Sequence, residues 1–155
     1  ILIIGCGTSQ IAKALHQRGY RNIVNADMSS RLITRMMVDD ELMEGVDCVC
    51  ADATNLYMFP DDWFDLVVDK GLMDTLFTKS TLMTEVPMMV DEMSRVVKPG
   101  GTYLIFSVAP HNARLDYLER KPLHWRVRHG AAMHGIHTYA CTQPLKESEA
   151  MNYLD

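Results

Sequence analysis

The stretch "ILIIGCGTSQ", Ile1–Gln10, decides the fold. Four apolar residues, Ile1–Ile4, form a buried strand, and "GCG" follows at once. Gly5 and Gly7 allow a tight turn and let a ligand lie against bare backbone. Beyond them Thr8–Arg18 reads as a helix, with Ile11, Ala12 and Leu15 on one face. A helix starting there points free N–H groups and a positive dipole end back at the loop.

The same rhythm continues outward. Ile23–Ala26 reads as a second strand, and Leu32–Val38 lies in a second helix capped by Ser29 or Ser30. Val46–Ala51 is a third strand, and "FPDDWFD" turns into a fourth at Phe64–Val68. Val90–Val97 lies in a helix that Pro87 can start. "KPGG" then turns into a fifth strand, Thr102–Ser107, and a short helix follows around Ala113–Glu119. Strands separated by helices imply βαβ units and a parallel sheet. The tail departs from this. Trp125–His129 and Ile136–Thr142 are both β-like, and "GAAMHG" between them is too short for a parallel crossover. The expected class is α/β: a Rossmann-like, doubly wound, mostly parallel seven-stranded sheet with one antiparallel strand from the C-terminal hairpin, joined at the edge of the sheet.

A chain of 155 residues, 48% apolar, suits one domain with one core, residues 1–155. Its net charge of −5 argues against a nucleic-acid surface built on bulk charge, though a local basic patch remains compatible. No apolar run approaches the roughly 18 residues of a membrane span. Cys6, Cys48, Cys50 and Cys141 form neither a CxxC pair nor a secreted framework, so reduced thiols in a cytoplasmic protein are expected. The chain opens inside a strand without an initiator Met, so a preceding N-terminal segment is expected to be missing.

Three acids close successive strands: Asp27 in "VNADMS", Asp52 in "VCADAT" and Asp69 in "FDLVVDKG". Open parallel sheets bind ligands at the carboxyl ends of their strands. Asp27 can accept two ribose hydroxyls there, and Asp52 can accept an adenine amino group, with Ala53 leaving room for the ring. A dinucleotide site prefers a third glycine where this chain has Gln10, and it has little use for two further acids. S-adenosylmethionine, with adenine, ribose and an amino acid carrying a sulfonium, suits the set better. Each acid alone is more often a cap or turn residue.

Together "LIIGCGTSQIAKAL", "GYRNIVNADMS", "ADATNL", "FDLVVDKGLMDTLF", "MSRVVKPGGTYLIFS" and "HWRV" resemble the methyltransferase-like 13 family, over roughly residues 1–142. These are class I S-adenosylmethionine-dependent methyltransferases that include lysine methyltransferases of elongation factor 1-alpha. The "DKG" with "LMDTL" is the more specific part, since the glycine loop is shared widely. Thr8 stands where the family has Asn, and "LMDTL" where it has "TLDAL". The resemblance implies a cofactor site of Gly5, Cys6, Gly7, Asp27, Met28, Asp52, Ala53, Asp69 and Lys70. It also implies a protein substrate and aromatic residues upstream of the first strand. A small-molecule methyltransferase and an inactive binding module are the alternatives.

Methyl transfer needs a positioned, deprotonated nucleophile and little acid catalysis. Positioning alone can supply roughly 7–11 kcal/mol of the barrier. Asp69 and Asp74 are the candidates for orienting an acceptor amine. His129, His134 and His137 are spaced so that they do not share one strand face, which disfavours a metal site. Cys48 and Cys50 are expected in the core, and the twelve methionines mostly as core filler. His111 is expected in a loop, and "RLDYLERK" as a solvated helix.

Overall fold

Apolar strands with no polar alternation need cover on both faces, and helices connecting parallel strands provide it. The structure, a computed structural model, describes residues 1–39, 43–79, 84–110 and 112–146. In chain order it contains β1 (Leu2–Ile4), α1 (Ile11–Gln17), β2 (Ile23–Asp27), α2 (Ser30–Asp39), β3 (Val46–Cys50) and β4 (Phe64–Lys70). Then come α3 (Leu72–Lys79), α4 (Glu85–Val96), β5 (Val97–Ser107), α5 (Asn112–Leu118), β6 (Arg126–Met133) and β7 (Ile136–Thr142). His111 lies outside the described residues.

The seven strands form one sheet in the order β3-β2-β1-β4-β5-β7-β6. The first five run parallel, and β7 runs against both β5 and β6. The reversed strand is therefore interior, and β6 forms the edge. Helices α1 and α2 cover one face through Ala12 and Ile33, packed with Ile3, Ile23 and Val68. On the other face Met73 of α3, Met89 and Met93 of α4, and Leu118 of α5 pack with Leu2, Tyr103 and Tyr139. Met73, Met89 and Met93 fill gaps between helix and sheet, but Met28, Met37, Met58, Met88 and Met133 are exposed, so the described methionines are not mostly core. Among the described residues no helix is long and apolar enough to cross a membrane.

Several local expectations change. The first helix begins at Ile11, because Ser9 N–H bonds Cys6 O and keeps residues 8–10 in the loop. Ser29 caps α2, its Oγ accepting Leu32 N–H at 3.3 Å. Strand β5 starts directly after α4, and "KPGG" becomes an irregularity within it, between the pairs Phe64↔Val97 and Leu66↔Thr102. Strand β6 runs on through Met133, so the hairpin turns at His134 (φ 52°) and Gly135 (φ 76°) rather than across "GAAMHG". Two left-handed residues match the twist of the paired strands. Cys50 is exposed because β3 is a sheet edge.

One clamp sets the long connection from β3 to β4. Arg95 on α4 donates to Phe59 O (2.9 Å), Leu56 O (3.0 Å), Asp61 (2.8 Å) and Glu92 (2.7 Å). Glu92 in turn accepts Leu56 N–H. Hydrogen bonds from Arg95 hold the Glu92 carboxyl below its usual range, against the opposing effect of burial. The connection that begins at Asp52 is thus tied to the helix beneath it. Arg95→Met is expected to lower stability by about 2 kcal/mol, since it strands two carbonyls and a carboxylate. Urea unfolding of the two proteins measures the difference.

Candidate active site

A parallel sheet opens where strand order reverses, because neighbouring connections there leave on opposite faces. Here that point lies between β1 and β4. The glycine loop leaves β1, and Asp69-Lys70-Gly71 leaves β4 beside it, with Ile4 paired to Asp69. The two segments nearly touch. Gly5 has φ 58°, and a Cβ placed on it would lie 2.8 Å from the Leu72 Cβ. Gly7 has φ 50° and open space where a Cβ would stand. Its missing side chain therefore clears room on the cleft side.

A cleft of about 420 Å³ opens over this point. Six of the expected residues line it: Gly5, Gly7, Asp27, Met28, Asp52 and Lys70. Asp27 is aimed by two backbone donors, Gly7 N–H to Oδ2 (3.0 Å) and Ser29 N–H to Oδ1 (2.9 Å). One donor per oxygen leaves acceptor capacity on each. At Asp52 both bonds fall on Oδ1, from Thr54 N–H (2.9 Å) and Thr54 Oγ (2.8 Å). Two fixed carboxylates one strand apart can accept the hydroxyls and amino group of a nucleoside.

Cys6, Ala53 and Asp69 do not line the cleft. Cys6 is 4% exposed, and burial, with the Asp27 charge adding to it, pushes its thiol up to about 12. Ala53 packs into the core. Asp69 has no exposed surface. Its carboxylate accepts Leu72 N–H (2.7 Å), Met73 N–H (3.1 Å) and the Tyr103 hydroxyl (2.9 Å). It caps the start of α3 and cannot face an acceptor amine without leaving these three donors. Asp74 is also engaged. It accepts Ser107 Oγ (2.5 Å), Val108 N–H (2.8 Å) and Arg114 (2.7 Å), whose guanidinium lies over the Phe77 ring. Burial pushes its carboxyl up, but the bonds from Ser107 and Arg114 outweigh this and hold it below its usual range. Asp74 thus ties α3 to the chain after β5 and to α5.

What the sequence reading missed is α3 itself. Leu72, Thr75, Leu76 and Lys79 line the cleft at helical spacing, with Gly71 before them and Glu85 beyond. The signal was present: Leu72, Met73, Leu76 and Phe77 recur at helical spacing. The histidines also differ from expectation. His129 and His137 meet across the hairpin, with rings stacked 5.4 Å apart and nitrogens 3.2 Å apart. Residues on paired strands meet diagonally, which spacing along one strand does not capture.

Burial pushes the Asp69 carboxyl up to about 6 against the lowering effect of its three donors. Between an ordinary carboxyl pKa and that value, the folded protein holds a proton that the unfolded chain releases. Stability from this group therefore falls as pH rises through that window, by about 1.4 kcal/mol for each pH unit crossed. Wild type is expected to gain stability relative to Asp69→Asn as pH falls from about 6 to about 4. Urea unfolding across that range reads the change, and parallel profiles would remove Asp69 as the titrating group.

Comparison with known proteins agrees with this geometry. The family model described as "Methyltransferase domain" matches residues 2–105. The mouse "eEF1A lysine and N-terminal methyltransferase" is 37% identical over 112 residues, 70% of this chain and 16% of that protein. The mouse "EEF1A lysine methyltransferase 4" is 26% identical, over 88% of this chain and 56% of its own length. The chain thus spans between about one sixth and about half of these relatives. Among solved structures, the N-methyltransferase NodS from Bradyrhizobium japonicum in complex with S-adenosyl-L-homocysteine has a TM-score of 0.70 at 15% identity, covering 92% of this chain and 76% of that one. An S-adenosylmethionine-dependent methyltransferase from Methanosarcina mazei has a TM-score of 0.62 at 17% identity, over 94% and 92% of the two chains. With a glycine loop and paired acids at the switch point, this chain belongs to the methyltransferase domain family, as a class I enzyme domain whose cofactor is S-adenosylmethionine.

Proposed function

We propose that this domain methylates a lysine side chain of a protein, a translation factor of the elongation factor 1-alpha kind. The observation that carries the reading is the cleft at the switch point, where Asp27, Asp52 and Lys70 converge around bare glycine backbone. Two kinds of curated relative, both named for eEF1A lysine methylation, support the acceptor class. A soluble translation factor as substrate goes with the cytoplasmic setting expected from the cysteines.

In this reading Asp27 accepts the ribose hydroxyls and Asp52 the adenine amino group. Lys70 pairs with the carboxylate of the methionine part. Bound there, S-adenosylmethionine supplies an electrophilic methyl on a sulfonium. The chain's own work is positioning, which is the larger part of what in-line displacement requires. Leu72, Thr75 and Leu76 wall the cleft from the α3 side and exclude water. Asp69 acts through α3 as a positioning residue, and Asp74 through its ties to the chain after β5. An acceptor lysine, with an ordinary pKa of about 10.4, loses its proton as desolvation in the mouth disfavours the charged form.

Asp27→Ala is expected to weaken cofactor binding by at least about tenfold, and Lys70→Ala by a smaller factor. Calorimetric titration with S-adenosylmethionine measures both, and unchanged affinity for the two variants would sink the assignments. The acceptor is tested with a labelled methyl donor, a cell lysate and purified elongation factor, followed by mass spectrometry of the labelled product. Label on a lysine side chain supports the proposal. Label confined to small metabolites, or to a protein N-terminus alone, overturns it.

A further inference from the structure

The chain's charge is divided between two regions. From Arg120 to Lys146 it contains five Lys and Arg residues and no Asp or Glu. The whole chain carries −5, so the remaining residues carry −10. The basic segment is the hairpin together with its approach and exit. Two of its charges are held: Arg120 pairs with Asp91, and Lys146 with Asp62. Arg126 and Arg128 have no ion pair or hydrogen bond from their side chains among the described residues.

These two arginines sit on the outermost strand. β6 pairs with β7 on one side, and no described strand lies on the other. Alternate residues of such a strand direct N–H and C=O outward. Among the described residues, no backbone bond outside the ladder involves Arg126–Met133. Trp125 and Val127 pack toward the core, so Arg126 and Arg128 project together from the opposite face. With Trp125, Thr142, Gln143 and Leu145 they line a groove of about 460 Å³ at the start of the strand. The groove lies at the end of the sheet away from the cofactor cleft. The other sheet edge, β3, is shorter and carries Asp47.

We propose that β6 is a docking edge for a partner protein, which adds an extended acidic segment as an eighth strand. The open backbone row binds the segment's main chain, and Arg126 and Arg128 take alternate carboxylates. Leu145 and the Trp125 edge receive apolar residues between them. Charge chooses the partner: the basic edge on an acidic body attracts an acidic strand, and it repels the basic one that bare edge geometry would also accept. Nucleic acid fits less well, because a sheet edge rewards a peptide backbone and the rest of the surface repels phosphate.

The test uses isotope-labelled protein and a blocked peptide of alternating glutamate and valine, matching the eight residues of β6. A lysine–valine peptide and a single-stranded RNA are the comparison probes. Saturable binding of the acidic peptide is expected, weakening with salt, with backbone shifts confined to Arg126–Met133 and the groove. The double variant Arg126→Glu, Arg128→Glu is expected to lose at least about tenfold in affinity while cofactor binding stays unchanged. Arg126→Gln, Arg128→Gln serves if the reversal disturbs folding. No saturation, equal binding of the lysine peptide, or displacement by RNA overturns the proposal. Slow hydrogen exchange of the outward β6 amides in the free protein overturns it too, since the edge would already be occupied by this chain.

Discussion

The Asp69 carboxylate joins three parts of the molecule that are distant in sequence. It stands at the end of β4, receives the Tyr103 hydroxyl from β5, and accepts the first two amides of α3. A buried carboxylate with no donors would cost several kcal/mol, so these bonds are what make its position tolerable. The start of α3 is fixed by them, and α3 walls the cofactor cleft. The Leu72 side chain that follows lies so close to Gly5 that only glycine fits there. The glycine loop and the β4 exit therefore constrain each other across the switch point.

Around that junction the polar groups divide by task. Asp27 and Asp52 are held by backbone and threonine donors and keep acceptor capacity toward the cleft. Asp69 and Asp74 spend their capacity inside the fold. The acids that line the cleft thus stay open toward it, and those one layer back hold the fold together. A methyltransferase can be built this way because its leaving group needs no acid and its chemistry rests on alignment.

The sheet, four of its five helices and the edge that carries the cleft were legible in the sequence because each rests on local periodicity. Ile1–Ile4 followed by Gly5 and Gly7 specifies a strand and a turn without reference to distant residues. The place of Asp27 and Asp52 at the cleft was legible for the same reason, since they close strands. Asp69 ends a strand too, yet its role depends on Tyr103, a cross-strand neighbour 34 residues on. Asp74 likewise depends on Arg114, 40 residues away. Sequence gives the same letter to a carboxylate facing a ligand and one sealed under a tyrosine. The His129–His137 contact was hidden because it exists only once the hairpin register is set.

The interior position of β7 bears on how the chain acquires its structure. Strand β5 pairs on one side with β4 and on the other with β7, through contacts such as Thr102↔Thr142 and Ser107↔His137. During synthesis, β5 emerges well before its second neighbour exists. Until then, its free side is a hydrogen-bonding row in the middle of an apolar sheet, open to pairing with other chains. The hairpin turn at His134–Gly135 is local and closes fast, within about 1–10 μs. The two last strands can therefore dock as a preformed unit, which shortens the interval in which that row stands open.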